Sequence, residues 1–198
     1  MSEEESKQHH SPTTLARPPP PQSRTAIPLT GGWTDIARLR AGKPVVVHGD
    51  GTSLWTLTHS SDFAKALVGL LGLPQAVGDV FTITSDEYLP WDRIYELFAE
   101  AAGAPTPQLV HIASDTIAAA APDLGPSLLG DKSHSVIFDN SKVKALVPEF
   151  ICTVPLALGV RQILNWFDSN PDQQIVDEGL NATFDQLIAA ARPSLGAG

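Results

Sequence analysis

The chain has 198 residues, of which 42% are hydrophobic and 18% are charged, and its formal net charge is −9. This length suffices for one well-buried domain and is too short for two large ones. The negative charge disfavours nucleic acid as a partner, because such binding relies on Lys and Arg neutralising phosphates. No apolar stretch of about 18 residues and no basic-then-apolar leader is present, so no membrane partner is predicted and a cytoplasmic location is expected.

Cysteine and histidine usage argues against redox and metal chemistry. The single cysteine, Cys152, excludes a disulfide within the chain and fits a reducing compartment. A small buried residue is favoured over a nucleophile there, since no histidine is close in sequence. His48, His59, His111 and His134 follow no compact ligand spacing, so no metal site is predicted.

The chain divides by composition into a tail, one domain and a short end. Residues 1–26 are charged and proline-rich, and they are predicted to be disordered because they have little to bury. Residues 27–192 are predicted to form one domain, and residues 193–198 a flexible C-terminus. The domain pattern predicts, in order, helix Asp35 to Arg40, strand Val45 to Val47, a Gly-Asp-Gly hairpin, strand Leu54 to Thr58, helix Asp62 to Leu71 and strand Gly78 to Thr84.

The second half is richer in helices. It predicts helix Trp91 to Ala102, strand Gln108 to Ile112, an alanine-rich helix from Ser114 that is broken at Pro122, strand Val136 to Phe138, and helices ending at Leu146, Phe167 and Ala191. Short strands among more abundant helices indicate a mixed, helix-rich α/β fold without a complete Rossmann domain. Asp62 is interpreted as a helix cap rather than a general base, and Asp139 and Asn140 as further capping residues.

Four short blocks carry a family resemblance. They are Ile27-Pro28 with Gly42 to Gly51, His59 to Ala64, Gly78 to Ile83, and Phe138 to Lys144. In this order they resemble the C-terminal, substrate-binding portion of the extended short-chain dehydrogenases, the NAD-dependent epimerase/dehydratase family. The resemblance implies oxidoreduction or epimerisation of a sugar-like or other hydroxylated substrate, with NAD or NADP as the cofactor of an intact family member.

The reaction machinery of that family is missing from the sequence. Members hold the cofactor pyrophosphate on a glycine-rich turn and use a tyrosine, with a lysine four residues on, as general acid/base. No such glycine turn occurs here, and Tyr88 and Tyr95 are followed four residues later by Asp92 and Ala99. We therefore expect no catalytic residue, no cofactor bound by this chain alone, and no activity of the isolated chain.

The same resemblance bears on the substrate. Members that bind nucleotide sugars grip the diphosphate with two arginines, at positions where this sequence has Trp55 and Leu128. Tryptophan and leucine cannot form the paired hydrogen bonds that an arginine makes to a phosphate, so a less charged substrate is expected.

Five residues are candidate substrate contacts because they flank the Gly-Asp-Gly turn or lie where relatives contact substrate: His48, Trp55, His59, Asp131 and His134. Trp55 is either a stacking platform for a ring or a core residue. The histidines either bind a substrate hydroxyl or are satisfied structurally. Asp131 and His134 are candidates because loops carry functional residues more often than core elements do.

Two functions remain open at this stage. The first is the substrate-binding portion of an epimerase/dehydratase-like enzyme, from a truncated gene or a split enzyme, with a separate Rossmann-domain chain as partner. The second is a non-catalytic binding or assembly module that retained the fold. Some family members bind RNA, but the acidic composition disfavours that use. Self-association through an exposed apolar face is also expected.

Overall fold

A computed structural model describes residues 15–17, 21–22 and 26–191, with side chains for residues 26–191. The tail was predicted to be disordered, yet it contains two short strands, β1 (Leu15–Arg17) and β2 (Pro21–Gln22). These strands run parallel to Val80–Thr82 and Thr58–His59, so backbone pairing with the domain holds them. The remaining tail residues and residues 193–198 lie outside the described part.

The other strands are short and form ladders of two. They are β3 (Val45–His48), β4 (Leu54–Trp55), β5 (Thr58–His59), β6 (Val80–Thr82), β7 (Leu89–Pro90) and β8 (Leu109–Ile112). In the described residues the pairs are β1–β6, β2–β5 and β3–β8, all parallel, and β4–β7, which is antiparallel. The strand order confirms a mixed α/β fold rather than one continuous sheet.

The Gly-Asp-Gly hairpin prediction is wrong. The turn separates β3 from β4, but β3 pairs with β8 and β4 pairs with β7. The physical reason lies in β3, whose four residues are all buried. A strand buried on both faces reads as a continuous apolar run and belongs to parallel pairing, whereas a hairpin strand alternates.

The helices supply most of the core. They are α1 (Trp33–Arg40), α2 (Ser60–Leu70), α3 (Trp91–Ala101), α4 (Ser114–Ala120), α5 (Gly125–Ser127), α6 (Ser141–Leu146), α7 (Leu156–Ser169) and α8 (Glu178–Ala191). On α3, Trp91, Ile94, Tyr95 and Phe98 recur at helical spacing and all are fully buried. That face packs with α1, α7 and β3 in the largest hydrophobic cluster.

Two further local predictions are wrong. Val136 to Phe138 forms no strand: Val136 N donates to Leu54 O at 3.0 Å, but Ile137 and Phe138 are exposed. Asp62 does not cap α2, because its carboxylate instead accepts from Thr153 N at 3.0 Å and Val154 N at 2.9 Å. A fully buried carboxylate needs such donors, and the segment preceding α7 supplies them.

Candidate functional site

Residues of α3 and β8 contact the Gly-Asp-Gly turn. Gly49 and Gly51 both have positive φ, at 63° and 75°, which favours glycine at each position. Asp92 N donates to Gly51 O at 3.0 Å, and Asp92 Oδ1 lies 2.8 Å from His111 Nε2. A Cβ on Gly51 would collide with both of those side chains. The turn is therefore held in one position by the Asp92–His111 pair.

Two of the candidate site residues, His48 and Trp55, contact the ring of Trp91 on α3. The ring centroids of His48 and Trp55 lie 4.9 Å and 5.6 Å from that of Trp91. His48 is 1% exposed, Trp55 4% and Trp91 0%. Burial is the main cause that lowers the pKa of His48, to about 4, so its imidazole is neutral near pH 7. Trp55 is thus a core side chain in this structure.

The segment that carries Asp131 and His134 is joined to the same place. It begins with a π-helical turn, Leu128–Lys132, a geometry that is frequent at functional sites. The carbonyl oxygen of Lys132 accepts from His48 Nε2 at 3.2 Å and from Ser53 Oγ at 2.9 Å. Asp131 and His134 are exposed beside this junction. The structure therefore brings the loop of Asp131 and His134 to His48 and Ser53, on either side of the Gly-Asp-Gly turn in sequence.

His59 has a different role. Its Nδ1 accepts from Ser61 N at 3.3 Å, which caps the first turn of α2. Since Nδ1 is an acceptor, Nε2 carries the proton and donates to Gln162 Oε1, 2.9 Å away. Within the described residues, none of its hydrogen bonds reaches the other four candidates. These contacts fit a structural histidine whose hydrogen bonds are made within the chain.

Lys132 was missed at the sequence level. Its Nζ donates to Pro28 O at 2.9 Å and lies 5.2 Å from the centre of the Trp91 ring. Burial is the main cause that lowers the pKa of Lys132, although Asp35 and Asp131 oppose the shift. The position between Asp131 and His134 was the only sequence signal, and a lysine in a loop is ordinarily solvated.

A buried carboxylate, also missed, is influenced by the charge of this lysine. Burial raises the pKa of Asp35 to about 6, against hydrogen bonds from Gly31 and Tyr95 and the charges of Arg38 and Lys132. The Tyr95 hydroxyl lies 3.4 Å from Asp35 Oδ2 and donates to Val46 O at 3.1 Å. The hydroxyl is thus held by hydrogen bonds within the core. Burial is the main cause that raises the pKa of Tyr95 well above its ordinary value, and the charge of Asp35 adds to the shift.

Most cations of the described part are already engaged. Six of them lie 2.5 to 2.9 Å from a carboxylate oxygen: Arg38, Arg40, Lys65, Arg93, Lys142 and Lys144. Three other Lys and Arg residues occur in residues 26–191. Lys132 donates to a backbone carbonyl, and within this range Lys43 and Arg161 form no ion pair with a carboxylate. The arrangement offers few free charges to an anionic ligand.

Other chemistry is sparse in residues 26–191. No group of three or more His, Cys, Asp or Glu side chains there is arranged to hold a metal ion. Burial, its largest cause, raises the pKa of the half-buried Cys152 thiol to about 11, which disfavours the thiolate. None of the helices in the described part is both long and apolar enough to span a bilayer.

Comparison with solved structures identifies the fold. UDP-glucuronic acid 4-epimerase from Bacillus cereus, solved with UDP-glucuronic acid and NAD, matches with a TM-score of 0.63 and 19% identity over 83% of this chain and 48% of that chain. UDP-glucose 4-epimerase from Thermotoga maritima matches with a TM-score of 0.56 and 19% identity, over 80% and 46% of the two chains. dTDP-glucose 4,6-dehydratase from Bacillus anthracis gives 0.52 and 16% identity, over 70% and 39%.

Sequence relatives match over shorter regions. The chain is 35% identical over 74 residues to the chloroplast stem-loop binding protein of 41 kDa b from Arabidopsis thaliana, covering 37% of this chain and 20% of the relative. It is 37% identical over 70 residues to 2'-dehydrokanamycin reductase from Streptomyces kanamyceticus, covering 35% and 20%. No protein-family profile matches the chain. The chain thus has the fold of a C-terminal portion of the extended short-chain dehydrogenases, the NAD-dependent epimerase/dehydratase type, as its sequence blocks predicted.

Proposed function

We propose that this chain is the substrate-binding portion of an NAD(P)-dependent epimerase/dehydratase-like oxidoreductase. The observation that supports this most is the match of 83% of the chain to 48% of a UDP-sugar epimerase at a TM-score of 0.63. The junction of the Gly-Asp-Gly turn with the Leu128–Lys132 turn is the proposed wall of the substrate site. Asp131 and His134 are its accessible polar groups. His48 and Trp55 are buried behind this wall, and His48 donates to the backbone of the Asp131–His134 loop at Lys132 O.

The proposed substrate is hydroxylated and carries little negative charge. UDP-sugar enzymes bind a diphosphate, which calls for cations that are free to contact it. Here Trp55 and Leu128, both buried, occupy the positions of the two arginines of the resemblance. Most described cations are engaged by carboxylates, as given above. A sugar-like substrate without a diphosphate therefore suits the site better than a nucleotide sugar.

The cofactor side is proposed to come from elsewhere. The 198-residue sequence has neither the glycine-rich turn nor the tyrosine-lysine pair of the resemblance. A separate chain with a dinucleotide-binding domain is the proposed partner, and the isolated chain is proposed to be inactive. Its location is proposed to be cytoplasmic.

Calorimetric titration of the purified full chain tests the substrate proposal. Uncharged glycosides should bind weakly and saturably, and the Asp131→Ala variant should bind them less well than the Glu149→Ala variant, which serves as a control away from the junction. UDP-glucose and UDP should give no saturable heat. Tight binding of UDP, unchanged by Asp131→Ala, would contradict the proposal.

The alternative is a non-catalytic binding module. One observation favours it, the 35% identity over 74 residues to a protein named for stem-loop binding. The net charge of −9 and the paired cations weigh against RNA as the ligand. Gel-shift titration with a stem-loop RNA discriminates the two: salt-sensitive binding at low concentration would favour the module.

A further inference from the structure

Two buried polar atoms without a hydrogen-bond partner in the described part belong to His48 on β3 and Trp91 on α3. Within residues 26–191, the buried side-chain nitrogens and oxygens without a hydrogen-bond partner are His48 Nδ1, Trp91 Nε1, Asp35 Oδ1 and Thr30 Oγ1. The first two belong to rings in edge contact, with centroids 4.9 Å apart and planes at 71°. Leaving a buried polar atom unpaired costs about 1 to 3 kcal/mol. One ligand that paired with both atoms would remove both costs.

The hydrogen-bond partners fix which ring atoms donate and which accept. The other nitrogen of His48, Nε2, lies 3.2 Å from the carbonyl oxygen of Lys132, and a carbonyl oxygen only accepts. Nε2 therefore carries the proton, and in the neutral ring Nδ1 presents a lone pair. The indole nitrogen of Trp91 is a donor only. A single partner for both atoms must therefore donate to His48 and accept from Trp91.

The surrounding charge selects the class of that partner. An anion that carries no proton cannot donate to His48 Nδ1, a cation cannot accept from the Trp91 N–H, and burial disfavours any charged occupant. The Lys132 ammonium lies 5.2 Å from the centre of the Trp91 ring, and its described hydrogen bond, to Pro28 O, uses one of its three donors. Asp35 offsets its charge in the same buried region. An uncharged oxygen that bears a hydrogen satisfies every requirement.

We propose that His48 Nδ1 and Trp91 Nε1 together bind one uncharged hydroxyl oxygen, supplied by a water molecule or a small alcohol. A single oxygen about 3 Å from each nitrogen bridges the two rings and ties β3 to the first turn of α3. The site lies behind the Gly-Asp-Gly turn, so its occupant supports the turn from within. This inference does not depend on the proposed function, because both rings belong to the chain itself.

Nuclear magnetic resonance of the 15N-labelled full chain tests the site. The chain has four tryptophans, and Trp91→Phe identifies which indole signal belongs to Trp91. We expect a through-space cross-peak between that indole proton and a long-lived water in the unmodified chain. In His48→Phe the cross-peak should be lost, because the acceptor is removed while a ring remains. In His48→Asn, which restores an acceptor, it should return.

Two titrations distinguish the source of the oxygen. A saturable shift of the Trp91 indole signal on adding methanol, with the Trp166 signal unchanged, assigns an alcohol site; a water cross-peak without that shift assigns a water site. A matching shift with inorganic phosphate would overturn the proposal. The absence of both a water cross-peak and a methanol shift in the unmodified chain would also overturn the proposal. This measurement does not depend on the folding of any variant.

Discussion

Replacing Asp62 by asparagine removes the charge that joins α2 to the segment before α7. The buried carboxylate accepts from Thr153 N at 3.0 Å, Val154 N at 2.9 Å and Lys65 Nζ at 2.7 Å. Asparagine can keep its amide oxygen at the Oδ2 position, to which both backbone N–H groups donate, but the charge is lost and its NH2 group then faces Lys65 Nζ at the Oδ1 position. Hydrogen bonds to a charged group contribute about 1.5 to 3 kcal/mol each. A bond to a neutral acceptor contributes about 0.5 to 1.5 kcal/mol, so each of the two backbone bonds should weaken by about 1 kcal/mol. With little added for the half-exposed Lys65, Asp62→Asn should lower the free energy of unfolding by about 2 kcal/mol.

The pH dependence of this loss follows from the pKa of Asp62. Burial alone would raise that pKa, but the hydrogen bonds from Lys65, Val154 and Thr153 outweigh it and lower the pKa below its ordinary value. A carboxylate with a depressed folded-state pKa stabilises the fold above its unfolded pKa, about 3.9, and loses that contribution as pH falls through the folded value. The effect of Asp62→Asn should therefore be full at pH 7 and shrink towards pH 3.

Urea unfolding of both chains at several pH values measures this effect. The control is Asp79→Asn, which removes an exposed carboxylate paired with Lys142 and should leave the unfolding free energy nearly unchanged. A loss at pH 7 below about 1 kcal/mol for Asp62→Asn, within the range of an ordinary surface pair, would refute the reasoning. A loss that persists undiminished at low pH would refute the assigned charge.

Three further predictions concern the core and the turn. Because burial raises the pKa of Asp35 to about 6, the chain should lose on the order of 2 to 3 kcal/mol of unfolding free energy as pH rises from about 4 through 6, and Asp35→Asn should flatten that dependence in urea titrations. Gly51→Ala should destabilise more than Gly49→Ala, since both add backbone strain of about 1 to 2 kcal/mol but only the former displaces Asp92; equal losses in thermal unfolding would contradict this. Trp55→Ala should cost about 3 to 5 kcal/mol as a buried aromatic, whereas an unchanged stability would assign Trp55 to ligand contact alone.

Local pattern was sufficient for the elements whose residues bury one face or both. The spacing of Trp91, Ile94, Tyr95 and Phe98 predicted α3, and the β-branched run from Val45 predicted β3. These succeeded because helix and strand periodicity follow from which side chains must leave water.

Pairing and polar contacts between distant segments were beyond the sequence. Val45 on β3 pairs with Leu109 on β8, and nothing in the intervening residues encodes that register. Asp62 looked like a cap because it lies in the first turn of α2, yet its partners lie 91 and 92 residues away. Such contacts are set by tertiary packing rather than by local propensity.

The candidate site was predictable in part for the same reason. The sequence singled out the Gly-Asp-Gly turn and the loop of Asp131 separately, and the structure brings them together through the carbonyl oxygen of Lys132. A backbone acceptor leaves no trace in side-chain chemistry, so Lys132 could not be singled out. The burial of Trp55 also depends on Trp91, which comes from a different element.

The central proposal is that this chain, which has the fold of part of a sugar epimerase, supplies the substrate side and has no cofactor site of its own. The most direct test is to titrate the purified full chain with NADH and NADPH and to measure fluorescence energy transfer from tryptophan to the nicotinamide. We predict no saturable transfer up to about 1 mM cofactor, a concentration that corresponds to about −4 kcal/mol of binding free energy. Saturable transfer at micromolar cofactor would contradict the claim.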